Sequence, residues 1–476
     1  MSFSIPSFQD FIRISAFPFF ILLLIFVMPH AFAAVGGGGG KLEIPDMTKE
    51  PLGMTALVIF IVSYLVVLFE EQTHMRKSKP VMLGAGLIWI CIGLLAPQYD
   101  IDHGTLRTAI YHGLDEYGSL FLFLLAAMTY IAALENRQVF ATLRSKMVSM
   151  GLNMRQIFWV TGIFAFFLSP IADNLTTALV MGAVVMAVGA NDPKFVLIAC
   201  INIVNAANAG GAFSPFGDIT TLMVWQAGHV EFFDFFPLFL PSLVCFLIPA
   251  TIMSFFVNPH KPLAVKEDVK MLRGAKFIIF LGLCTIAMAV SFEQVLGLPP
   301  FLGMMTGMSV LMITSFFIRK VGENRDKDFD ILNEVQNAEW DTLLFFFGVI
   351  FAVGGLTFLG YLELASTVMY DGWGESITNI VMGFASALID NIPVMFAILS
   401  MDPPLDQFQW LLVTLTCGVG GSMLSIGSAA GVALMGVARG QYTFFGHLKW
   451  TPVIALGYGA AIATHFWINT HLVGVM

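Results

Sequence analysis

Ser169-Pro170-Ile171-Ala172-Asp173-Asn174-Leu175-Thr176-Thr177 sets a carboxylate and an amide in the middle of an apolar run, 157–190. The pattern returns once. Ser386-Ala387-Leu388-Ile389-Asp390-Asn391-Ile392-Pro393-Val394 has the same S-x-x-x-D-N order inside the apolar run 376–400. Downstream of each lies a glycine-rich stretch of one spacing, Gly210-Gly211-Ala212-Phe213-Ser214-Pro215-Phe216-Gly217 in the first half and Gly420-Gly421-Ser422-Met423-Leu424-Ser425-Ile426-Gly427 in the second. The same two events in the same order make an internal repeat, and such repeats are read before anything else.

Around these motifs the chain is overwhelmingly apolar. Its 476 residues are 57% hydrophobic and 12% charged, with a mean hydropathy of +0.83. A soluble surface needs roughly 25% charged residues, so a soluble enzyme is excluded. A net charge of −9 offers no basic face for nucleic acid. Apolar runs recur near 52–69, 80–96, 118–134, 157–190, 195–225, 235–257, 276–292, 299–318, 342–360, 376–400, 410–438 and 450–475. Most match the roughly 20 residues of a membrane-spanning helix, so a polytopic all-α membrane protein with lipid as its environment is expected.

At the N-terminus, Arg13 precedes an apolar run from Ile14 to Val27, and Ala31-Phe32-Ala33 offers small residues at cleavage spacing. Residues 1–33 therefore read as a signal peptide. Residues 34–51, with the five glycines Gly36 to Gly40, read as a flexible extracytoplasmic segment.

Charge sets the sidedness. All but Arg13, Lys41, Lys49 and Arg107 of the 23 basic residues fall in 70–79, 135–156, at Lys194, in 258–276, in 319–341, or at Arg439 and Lys449. The opposite loops, 97–117, 228–234, 361–374 and 401–409, are acidic instead. Positive loops face the cytoplasm. That parity holds if 157–190 and 376–400 are re-entrant hairpins, the first entering from the cytoplasm and the second from outside. The expected architecture is thus an inverted-topology repeat, each half with a re-entrant hairpin and a discontinuous helix. The first repeat covers 52–257 and the second 277–476, joined by a cytoplasmic linker at 258–276, with a further linker or interfacial helix at 319–341. Inverted repeats with broken helices at the midplane mark secondary transporters. Unpaired backbone groups cost several kcal/mol each in lipid and are tolerated where they line a watery site.

Asp173, Asn174, Asp390 and Asn391 lie at the hairpin centres, where an acid costs about 2.5–3.5 kcal/mol to insert. Ser169, Thr176, Thr177, Ser214, Ser386, Ser425 and Ser428 surround them with hydroxyls, hard oxygen donors suited to Na⁺. Asp218 adds a third carboxylate in the first half, opposite Ser428 in the second. A carboxylate in a low-dielectric pocket holds either a proton or a metal cation, and competition between them is the simplest antiport. The alternative for each hairpin acid is a structural cap accepting backbone N–H groups. No His or Cys lies in either hairpin motif, so no transition-metal site or cofactor is expected. No nucleophile–base pair or H-E-x-x-H helix suggests an enzyme. Glu135-Asn136 closes the span before the first hairpin, within reach of the site or at its interface. His229, His465 and His471 read as packing, and the five cysteines, all in apolar runs, as unpaired.

With these motifs in view the chain resembles the NhaD-type Na⁺/H⁺ antiporters of the ion transporter superfamily. Ser169–Thr177, Asn205–Trp225, Ser386–Val394 and Gly420–Gly436 carry the resemblance. It implies exchange of Na⁺ and Li⁺ for H⁺ across a bacterial inner membrane, favoured at alkaline pH. It also implies a homodimer with a fixed scaffold and an elevator-like transport domain. Carboxylate carriers of the superfamily resemble the chain in their hairpins but have S-N-T in place of D-N, while arsenite permeases look D-N-like and are the nearer alternative. Pro393 and Val394 stand where the first hairpin has Thr176 and Thr177, leaving fewer side-chain oxygens for a second complete cation site.

Overall fold

The computed structural model describes residues 45–475 apart from 69, 74, 190, 191, 262–268, 323–325, 327 and 439. The expected signal peptide, the glycine run and Lys266, Arg325, Lys327 and Arg439 lie outside the described residues. The described residues are helical throughout and contain no strand.

The first half begins with α1 (Pro51–Leu68), α2 (Ser78–Leu95), α3 (His103–Asn136) and α4 (Val139–Ser149). It continues through α5 (Met154–Ala172), α6 (Asn174–Gly189), α7 (Pro193–Gly211), α8 (Ile219–Gln226) and α9 (Phe239–Ser254). After it come α10 (Ala275–Leu296), α11 (Pro300–Val321), α12 (Ile331–Gln336), α13 (Trp340–Phe358) and α14 (Tyr361–Ser366). The chain ends with α15 (Glu375–Ile389), α16 (Asn391–Met401), α17 (Gln407–Gly420), α18 (Ala429–Val437), α19 (Phe444–Leu448) and α20 (Thr451–Ile468). Among the described residues nine helical segments are long and apolar enough to cross a membrane.

Two expected loops are helical. Residues 97–117 form a short 3-10 turn, Ala96–Tyr99, and then the start of α3, which at 34 residues runs well beyond its apolar stretch 118–134. Residues 361–374 carry α14 and a π-helical turn, Thr367–Asp371. Both are polar, and past Pro97 in the opening 3-10 turn neither contains a proline, so nothing further in stops a helix that hydropathy alone ends early.

The helices form two compact units. The smaller comprises residues 115–143 and 268–343, with a core of Tyr130, Ala133, Ile278, Leu281, Leu311, Ile318, Phe329 and Ile331. There the Tyr130 hydroxyl donates to the Gly307 carbonyl at 2.8 Å and lies 2.8 Å from Thr285 Oγ1. The buried Arg137 guanidinium reaches Asp326 at 2.8 Å and covers the Phe329 ring at 4.0 Å. The described residues of 319–341 thus comprise the end of α11, α12 and the start of α13, all within this unit.

The larger unit comprises 43–114, 144–267 and 344–476, and it contains every motif that decided the fold. The hairpins break where expected, α5/α6 at Asp173 and α15/α16 at Asp390. α15 and α16 have 15 and 11 residues. At 1.5 Å per residue these arms are about 22 and 16 Å, shorter than a bilayer core of about 30 Å. α5 is longer, at 19 residues, and Asn153 fixes its start with a capping box: its side chain accepts from Gln156 N–H at 2.9 Å, and Gln156 answers Asn153 N–H at 3.0 Å. The glycine-rich stretches interrupt helices, α7/α8 across 212–218 and α17/α18 across 421–428.

Candidate functional site

The repeat in sequence is a repeat in contacts. Ser169 Oγ donates to the Ala207 carbonyl at 2.6 Å, and Ser386 Oγ donates to the Cys417 carbonyl at 2.7 Å. Each hydroxyl thus ties a hairpin arm to the neighbouring broken helix. Gly210 lies against the Phe166 carbonyl and Gly420 against the Gly383 carbonyl, so closely that neither leaves room for a Cβ. Beyond these contacts, α6 packs on α18 and α16 packs on α8, so each hairpin's second arm meets the far segment of the other half's broken helix.

Both hairpin acids occupy backbone that L-residues seldom adopt, Asp173 at φ 57° and Asp390 at φ 89°. Such conformations cost of order 1–3 kcal/mol and persist where surrounding packing enforces them. Their side chains differ. Asp173 accepts from Thr176 N–H at 2.7 Å and from the Thr176 hydroxyl at 3.0 Å, capping α6. Asp390 makes no such cap. The third residue of α16 is Pro393, which has no N–H to offer. Asp390 Oδ2 instead lies 3.2 Å from Lys77 Nζ, and Asp390 Oδ1 has no hydrogen-bond partner.

Asp218 caps α8 through Thr220 N–H at 3.2 Å and takes both of its remaining contacts from the Asn391 amide, at 3.2 and 3.0 Å. It is 3% exposed. Its Oδ2 and Thr220 Oγ1 converge on Gly418, each 3.8 Å from where a Cβ would stand, and Thr220 Oγ1 is itself unpartnered. The mirrored position is neutral: Ser428 caps α18 through Gly431 N–H at 3.3 Å and accepts from Asn208 Nδ2 at 2.9 Å. Asn208 also donates to Ser422 Oγ at 2.9 Å and accepts from Asn174 Nδ2 at 3.1 Å. Asp218, Asn391 and Asp390 therefore gather at one hairpin tip, and Asn174, Asn208, Ser422 and Ser428 at the other.

Ser214 Oγ donates to the Pro170 carbonyl at 3.0 Å, bracing the interruption of α7/α8. The Ser425 and Thr177 hydroxyls are buried without hydrogen-bond partners. Asn136 joins a separate polar cluster in the smaller unit, its amide donating to Glu334 at 2.6 Å. His465 packs flat on Phe408 and bonds its carbonyl at 3.1 Å, and His229 stacks on Trp410. All five cysteines are free.

Lys77, Thr220, Asn208 and Ser422 were not singled out from sequence. Asn202, Asn205 and Asn208 recur every third residue in an apolar helix, a polar stripe that signals a partner for each. Lys77 carried no signal, since its partner is 313 residues away.

Residues 52–418 match the family model described as citrate transporter, CitMHS. The chain is 54% identical to the Na⁺/H⁺ antiporter NhaD of Alkalimonas amylolytica, covering 90% of this chain and 93% of that protein. It is 51% identical to the NhaD of Vibrio cholerae, covering 94% and 98%. The chain belongs to the NhaD-type branch of this transporter family. A plant protein is also similar: sodium/proton antiporter 1 of Arabidopsis thaliana is 32% identical over 87% of this chain and 72% of that protein. Among solved structures, the YdaH transporter of Alcanivorax borkumensis matches with a TM-score of 0.42 at 12% identity, over 78% of this chain and 90% of that one, a likeness too loose to carry argument. As an NhaD-type chain with these apolar helices, it is a multi-pass protein of the bacterial inner membrane.

Proposed function

We propose that the chain is a secondary transporter that exchanges Na⁺, and with it Li⁺, for H⁺ by competition at carboxylates inside the membrane. The exchange activity in the names of the NhaD proteins supports the choice of ions. The single observation that carries the mechanism is Asp218, buried and hydrogen-bonded by neutral donors alone, the Thr220 N–H and the Asn391 amide. A buried ionised carboxylate without a cation is costly, so Asp218 is satisfied by a proton or by a metal ion, and each expels the other. Asp390 and Asn391 complete the proposed cation site, with the Thr220 hydroxyl as a further oxygen. Asp173, Asn174 and Ser428 form the proposed counterpart in the other half. Ser169, Ser386, Ser214 and Thr176 hold the broken backbone around both. A homodimer and a role in pH homeostasis belong to the same reading and rest on the family resemblance.

The family model's description raises carriage of citrate instead. Asp218 beside Asp390 would repel a tricarboxylate and attract a cation, which favours exchange. The deciding experiment loads inverted vesicles with an acid interior and adds Na⁺, Li⁺, K⁺, citrate and arsenite in turn. Na⁺ and Li⁺ should collapse the gradient. If neither does and citrate or arsenite does, cation exchange is refuted.

A further inference from the structure

Asp390 forms an ion pair with a residue far away in sequence, and that pair identifies a residue with a role in the exchange. Asp173 is answered by its own helix, through Thr176. At Asp390 the corresponding donor is missing because of Pro393, and a lysine from a distant element takes its place. Lys77 stands immediately before α2, with its ammonium 3.2 Å from Asp390 Oδ2 and the two side chains 15% and 11% exposed. The same ammonium lies 4.4 Å from the centre of the Phe345 ring, a face that holds a cation without neutralising it. The other carboxylate oxygen, Oδ1, has no hydrogen-bond partner, and neither has the nearby buried Tyr64 hydroxyl, which interacts electrostatically with Asp390. Lys77 is therefore held by one oxygen and an aromatic face, not locked by a fork of hydrogen bonds.

We propose that Lys77 is the resident counter-ion of Asp390 and competes with the transported cation for it. This rests on the reading that Na⁺ binds at Asp390, Asn391 and Asp218. In the empty site the ammonium spares Asp390 the cost of a bare buried charge. When Na⁺ binds, the ammonium gives up Oδ2 and stays on Phe345; when Na⁺ leaves, the ion pair re-forms. Lys77 thus sets the affinity for Na⁺ without ever touching it.

The test compares purified full-length wild type with Lys77→Met and Lys77→Arg at alkaline pH. Na⁺-dependent thermal stabilisation gives the half-saturating concentration, and proteoliposome exchange gives KM and kcat for Na⁺. Lys77→Met should lower the half-saturating Na⁺ and KM at least tenfold, and Lys77→Arg, with its two-pronged hold on a carboxylate, should raise them. A fall in the sodium-free melting temperature alone is what a merely structural ion pair predicts. Unchanged half-saturation in both variants overturns the assignment. Should Lys77→Met fail to fold, the wild type decides: Na⁺, but not choline, should speed modification of Lys77 by an amine-reactive reagent, read by peptide mass spectrometry. A rate indifferent to Na⁺ overturns the proposal. A wild type with no Na⁺ response in exchange or stability overturns cation exchange itself, and the Lys77 assignment with it.

Discussion

Gly418→Ala should leave the protein as stable as before, or more so, and yet weaken its hold on Na⁺. Gly418 sits in the last turn of α17, and an added Cβ would meet Ala212 Cβ at 3.5 Å, Asp218 Oδ2 at 3.8 Å and Thr220 Oγ1 at 3.8 Å. All three are ordinary van der Waals distances, so nothing has to move. Replacing glycine by alanine within a helix is favourable by up to about 1 kcal/mol. The same methyl fills the ground on which a carboxylate oxygen and an unpartnered hydroxyl converge. An ion bridging those two oxygens would lose at least one of them. A tenfold weakening, about 1.4 kcal/mol, is the smallest effect expected. Thermal unfolding of purified protein across a Na⁺ titration reads both quantities: the sodium-free midpoint should hold or rise, and the half-saturating Na⁺ should climb tenfold or more. Gly436→Ala, on α18 with nothing within 4 Å of its Cβ, is the control and should change neither affinity nor fold. Wild-type half-saturation in Gly418→Ala would mean that the ion binds elsewhere, and the reasoning from Asp218 and Thr220 would fail.

Asp218→Asn keeps an N-cap residue of equal quality on α8, so stability should stay within about 1 kcal/mol while Na⁺-driven collapse of the vesicle pH gradient disappears; retained exchange would acquit this carboxylate. Gly211→Ala and Gly421→Ala each bring a Cβ to 2.5 Å from a carbonyl oxygen, of Gly217 and Gly427 respectively. Both should lower the unfolding midpoint by overpacking costs of about 1–3 kcal/mol, and a large inequality between them would argue against equivalent sites. His447, on the short α19 between spans, is fully buried, with Nε2 2.9 Å from the Ser422 carbonyl and Nδ1 2.8 Å from the Tyr442 hydroxyl. Burial is the main cause that pushes its pKa down to about 4 from 6.5. The unfolded chain therefore binds this proton first, so the stabilisation is complete above pH 6.5 and is lost as pH falls toward 4. That is on the order of 3 kcal/mol at 1.36 kcal/mol per pH unit. His447→Gln should flatten the acid side of a melting-temperature profile by about one proton, and an unchanged slope would place the acid sensitivity elsewhere.

What could be read from sequence was whatever is local or repeated. The S-x-x-x-D-N and glycine spacings located both hairpin breaks and both interrupted helices, because a helix break is a short-range event and two copies reinforce one signal. Hydropathy misplaced the start of α3 because it registers insertion energy, whereas His103–Gly118 needs only backbone hydrogen bonds to be helical. The site was legible in its residues but not in its pairings. Asp218 with Asn391 and Lys77 with Asp390 join positions 173 and 313 residues apart, and no spacing rule reaches that far. Pro393 shows how close the sequence came. Set against Thr176, it reads as a lost side-chain oxygen, which makes the second hairpin the poorer ion site. The more consequential loss is its N–H. With that donor present, Asp390 would cap its own helix as Asp173 does, held by a neighbour three residues away that cannot leave. Without it, one carboxylate oxygen is left to a lysine side chain able to withdraw and the other stays open to an incoming cation.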